Sequence, residues 1–158
     1  MRVSKASIGL LLFFLYLLQY AANVDFDYLL ALQGDSTFRH WSGLVLYLTI
    51  ISQWVLPIVR GVYDLTGKGL AKIVRFHYWL GIFSPLVFYM HSARPDYGLL
   101  LGLTVLFFLN FLSGFLINSR FSAGYLNHQS MFIPLHIILS AVILVLSSLH
   151  VWYVFYFN

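Results

Sequence analysis

Four of the six histidines fall into two pairs of equal spacing: His77 with His91, and His136 with His150, fourteen residues apart in each case. Imidazole is a ligand for haem iron, zinc and copper. At 3.6 residues per turn, fourteen residues come to just under four turns, so each pair occupies nearly one helix face, its members about 21 Å apart along the axis. That is the separation of two sites stacked within one bilayer. Between the histidines the same faces carry Gly81, Ser84 and Phe88 in the first case, and Ser140, Ile143 and Ser147 in the second. Most of these are small. Two such helices can sandwich two flat macrocycles, each iron held by one histidine from each helix, and two b haems with bis-histidine ligation are the expected cofactors.

The elements that position these histidines follow from composition. The 158 residues are 61% hydrophobic and only 9% charged, and the mean hydropathy is +0.85, which is too apolar for an ordinary soluble domain. With no cysteine, the sequence excludes iron–sulfur clusters, disulfides and covalent haem attachment, so any haem is held by coordination alone. The net charge of +4 comes from basic residues between apolar runs. They read as topology signals, and no nucleic-acid partner is expected.

Runs free of Asp, Glu, Lys and Arg predict an all-α integral membrane bundle, a single transmembrane domain of residues 1–158. Its five spans lie at about 6–24, 41–59, 76–93, 97–119 and 132–156. The start, with Arg2 and Lys5 ahead of an apolar run and Ala21 and Ala22 behind it, has the look of a secretory leader but is expected to be retained as the first span. Between Asp25 and His40, three aspartates surround the apolar Tyr28 to Leu32, a pattern that fits either a short interfacial helix or a plain loop. The connection from Arg60 to Arg75 also holds Lys68 and Lys72 and is the most basic. The positive-inside rule therefore puts it in the cytoplasm together with the N-terminus and the loop at Arg120, and leaves the C-terminus outside. One span separates the third from the fifth, so the two histidine helices are expected to be parallel, with His77 and His136 at the inner depth and His91 and His150 at the outer.

Gly81 is expected to let a macrocycle approach the third span closely, with Phe88 filling space between the haems. Haem propionates call for cations, and Arg75 and Arg94, two and three residues from His77 and His91, are the first candidates, followed by Arg39 and Arg120. His40 and His128, near opposite surfaces, are candidates for contact with a quinone head group. Two other readings stay open: a metal-ion transporter using the four histidines as a path, and a structural subunit using them for interhelical packing. The first is weakened by the absence of Glu and Cys from the chain and of Asp from every span, which leaves a cation route without compensating charge.

The stretch Arg75 to His91 (RFHYWLGIFSPLVFYMH), followed by Pro134 to His150 (PLHIILSAVILVLSSLH), resembles the haem-bearing core of the ferric reductase and NADPH oxidase transmembrane domain. It is also similar to cytochrome b of the respiratory bc complexes, where two parallel helices each give two histidines at such spacing. The resemblance covers residues 76–156 and implies that His77 and His136 ligate one haem and His91 and His150 the other. The reductase pattern continues into flavin and nicotinamide domains that are not found up to Asn158. The expectation is a dihaem b-type subunit of a membrane oxidoreductase in the bacterial inner membrane. It would pass electrons between a quinone pool or cytoplasmic donor and an external carrier, alongside partner subunits. The alternative is a ferric or oxygen reductase fed by a separate flavoprotein.

Overall fold

The computed structural model describes residues 5–63, 66–94, 97–118 and 128–157, and every regular element among them is an α-helix. The chain divides into two compact units, Met1–Ala93 and Arg94–Asn158. The first contains α1 (Lys5–Ala22), α2 (Asp27–Gly34), α3 (Ser36–Gln53), α4 (Val55–Val62) and α5 (Gly67–His91), and the second contains α6 (Leu99–Asn118) and α7 (His128–Phe157). Asn127, Arg120 and Asn158 lie outside the described residues, as do the side chains of Arg2, Lys5, His128, Gln129 and Ser130.

In the first unit, short polar residues set the helix ends. Asn23 takes a left-handed φ of 55°, and the Val24 amide bonds back to the Gln19 carbonyl at 3.2 Å. This is the closure that satisfies the last carbonyls of a helix, with Asn as the side chain that best tolerates the conformation. The chain then turns through 93° into α2, so the Asp25–His40 region holds a short helix rather than a plain loop. Asp35 ends α2 and starts α3, its carboxylate accepting from the Phe38 amide at 2.8 Å, an N-cap worth about 1 kcal/mol. The break between α3 and α4 falls at Trp54, three residues ahead of Pro57.

α5 packs against α1 and α3, burying Ile82, Ser84, Pro85 and Phe88. Tyr16 of α1 meets Phe88 edge-on with ring centroids 5.8 Å apart, and meets Tyr89 in the same way at 6.2 Å. Pro85 has no amide hydrogen to give the Gly81 carbonyl, and the Ser84 hydroxyl donates to that oxygen at 2.8 Å instead.

In the second unit α6 and α7 pair along their length, burying Thr104, Phe107, Phe108 and Ser113 on one side and Ile143 and Ser147 on the other. The hydroxyls of Thr104, Ser140, Ser147 and Ser148 donate to carbonyls of their own helices, so each polar group is satisfied within its own helix. The outward positions are large and apolar, for example Leu18, Ile138 and Val145.

Three stretches are long and apolar enough to cross a membrane: Ser36–Val62, Leu99–Ile117 and Met131–Phe157. A fourth requires α1 and α2 to be taken together across their bend. α5 falls outside this set because its first turns carry Lys68, Lys72 and Arg75, and its remainder is diluted by histidine, tyrosine, tryptophan and Pro85. It also starts at Gly67, well ahead of residue 76, so part of the basic connection is helical.

Candidate imidazole sites on two helices

On α5 the stripe His77, Gly81, Ser84, Phe88 and His91 is half-buried or buried throughout, and on α7 so is the stripe His136, Ser140, Ile143, Ser147 and His150.

The His91 ring rests against α3 at Gly43, where a Cβ would stand 2.8 Å from its Cε1. One residue earlier, the Ser42 hydroxyl is 3.3 Å from His91 Nδ1. That hydroxyl has its proton on the Arg39 carbonyl, also at 3.3 Å, so its oxygen accepts from Nδ1–H.

The second unit repeats the arrangement. The His136 ring lies on α6 at Gly114, where a Cβ would stand 2.9 Å from its Cε1, and Ser113 Oγ is 3.0 Å from Nδ1. Ser113 donates to the Asn110 carbonyl at 2.7 Å, and that carbonyl also lies 3.1 Å from Nδ1. Two acceptors around one ring nitrogen mark it as the protonated one.

His77 has its Nδ1 3.1 Å from the main-chain carbonyl of Gln53 at the end of α3. His150 is half-buried near the end of α7, and no hydrogen bond holds its ring among the described residues.

For three of the four histidines, an oxygen from a neighbouring helix therefore meets Nδ1. An imidazole that donates from Nδ1 carries its lone pair on Nε2, and this bond is what fixes ring orientation and raises basicity in histidine ligands of metals. Among the described residues no three His, Cys, Asp or Glu side chains converge as they would around a bare metal ion. A bis-histidine haem site asks only two imidazoles of the chain, and the donor chemistry here fits it.

Gly81 is not crowded: a Cβ there would reach only Gln53 Nε2, at 3.9 Å. Arg75 and Arg94 are exposed, as is Arg39 in the first turn of α3, and His40 is half-buried beside it. Trp54 Nε1, the Tyr89 hydroxyl and Asn110 Oδ1 are buried with no hydrogen-bond partner among the described residues. Each belongs to a residue close in sequence to one of the histidines or to a group holding one.

The spacing argument missed Ser42, Gly43, Ser113, Gly114 and Gln53. The recurring Ser-Gly dipeptide, once in each unit, was the available signal. The chain matches no protein-family model, no curated protein and no solved structure.

Proposed function

We propose that the chain is a dihaem b-type membrane subunit that carries electrons between the two faces of a bilayer. In this reading it forms five spans with the N-terminus inside, His77 pairs with His136 on one iron, and His91 pairs with His150 on the other. The observation that carries the reading is the Nδ1 bond to an oxygen acceptor at His91 and His136, with the Gln53 carbonyl placed 3.1 Å from Nδ1 of His77. It is joined by the two glycines on which the His91 and His136 rings rest. A histidine used only for packing can offer either nitrogen to its neighbour. Offering the same nitrogen to an oxygen at both His91 and His136 leaves Nε2 as the electron donor of each.

Haem iron with imidazole at both axial positions supplies one-electron transfer rather than ligand binding. The chain's own groups do the rest. Ser42 and Ser113 hold the tautomer, and Gly43 and Gly114 admit the rings edge to backbone. Arg75 and Arg94, two and three residues from His77 and His91, are long enough to bring a cation to an anionic group beside either histidine. The partners that suit this role are other subunits of an oxidoreductase, a quinone and an external carrier.

The visible spectrum of the purified chain tests the reading. Sharp reduced bands of a low-spin b haem are expected, with about two haems per chain by pyridine haemochrome assay. A colourless preparation from haem-replete cells would overturn it.

A further inference from the structure

Gln53, the last residue of α3, brings two groups to one ring nitrogen of His77. Its main-chain carbonyl is 3.1 Å from Nδ1. That oxygen has no helical donor of its own, because the residue four positions on is Pro57, which lacks an amide hydrogen. The side chain arrives at the same place. In the orientation that satisfies both ends of the amide, Gln53 Nε2 is 2.7 Å from His77 Nδ1 and 3.2 Å from the His77 carbonyl, while Oε1 accepts from the Gly81 amide at 2.9 Å.

The two contacts make opposite demands. The carbonyl needs a proton on Nδ1, and the amide NH2 needs Nδ1 bare. A neutral imidazole has one proton for two nitrogens and can meet only one demand at a time. With Nδ1 bare, the proton sits on Nε2 and the ring has no lone pair for iron there. With Nδ1 protonated, Nε2 is a ligand.

We propose that Gln53 is the positioning residue of His77, its amide holding the Nε2–H tautomer in the haem-free protein and its carbonyl taking over when Nε2 becomes a ligand. In the change, Nε2 loses a proton to solvent and Nδ1 gains one. The ring keeps its charge, and the amide reverses so that Oε1 faces the new N–H. The second half of this proposal rests on the haem reading, and the first half does not.

The experiment uses the full chain labelled with 15N-histidine, produced without haem, with His77 assigned by a His77→Gln variant. The nitrogen shifts should report Nδ1 as bare in the wild type. In Gln53→Glu, whose carboxylate only accepts, they should report Nδ1 as protonated. A protonated Nδ1 in the haem-free wild type, or an unchanged tautomer in Gln53→Glu, overturns the proposal. In the loaded protein Gln53→Glu should lower the midpoint of the haem held by His77 and leave the other alone, because an anionic acceptor makes the imidazole more basic and favours ferric iron. Equal midpoints in variant and wild type would remove the positioning role. If the chain takes up no haem, the proposed function fails, and the nitrogen shifts still decide the tautomer.

Discussion

At the scale of single residues, the glycines that matter are those under the imidazoles. A methyl group at residue 43 would stand 2.8 Å from His91 Cε1, and one at residue 114 would stand 2.9 Å from His136 Cε1. Neither ring can retreat without leaving its serine. Gly43→Ala and Gly114→Ala should each cost about 1–3 kcal/mol, the usual range for forcing a carbon into a filled space. Each should also broaden or abolish the spectrum of one haem. Gly102→Ala, with no atom within 4 Å of the added carbon, should leave both melting temperature and spectrum unchanged. Equal melting temperatures for all three variants would mean that the rings do not rest where the structure has them. The histidines themselves were legible from their spacing because helical periodicity governs what one helix presents on one face. What a neighbouring helix presents in return is not periodic in that helix's own numbering, so Gly43 and Gly114 were overlooked. Gly81 was chosen because it lay on the stripe, although it faces only the Gln53 amide.

At the scale of elements, α2 has a definite task at the end of α5. The Gln33 side chain donates to the Tyr89 carbonyl at 2.9 Å and to the Met90 carbonyl at 3.2 Å, and its oxygen accepts from the Ala93 amide at 3.4 Å. The two carbonyls are groups that a helix leaves unpaired at its C-terminus, the Ala93 amide lies just past that end, and together they flank His91. Gln33→Leu should release them at a cost of about 1–3 kcal/mol. Hydrogen exchange should quicken at the amides of His91, Ser92 and Ala93 while it holds steady in α7. Uniform exchange across α5 in this variant would count against a capping role. The elements are readable where charge or its absence marks them: the helical character and the two histidine helices follow from local pattern, while the segment around Tyr28 fits a short helix and a loop equally. The breaks are not. Trp54 and the helical start at Gly67 depend on where neighbouring helices need α4 and α5 to begin, and hydropathy alone does not encode that. The low hydropathy of α5 has the same origin as its interest, since histidines, serine and proline are what make it a candidate site rather than a plain span.

At the scale of the whole molecule, both the span count and the direction of each helix can be decided without a spectrum of the native protein. The basic segment holding Lys68 and Lys72 is expected on the cytoplasmic side and residue 158 on the other. Cysteines placed at 68 and 158 in this cysteine-free chain should therefore label from opposite faces, and labelling from one face would remove a span. The pairing of the histidines depends on the same count. With one crossing, or any odd number, between them, the helices of His77 and His136 run the same way, and depth joins His77 to His136 and His91 to His150. With an even number, His77 would stand level with His150. Losing either ligand of a bis-histidine site should cost the same haem. His77→Ala and His136→Ala should thus each retain one haem with a shared spectrum and midpoint, and His91→Ala and His150→Ala should each retain the other. If the haem left in the His77 variant instead matches the one left in the His150 variant, the two histidine helices are antiparallel and the five-span arrangement is wrong by one crossing.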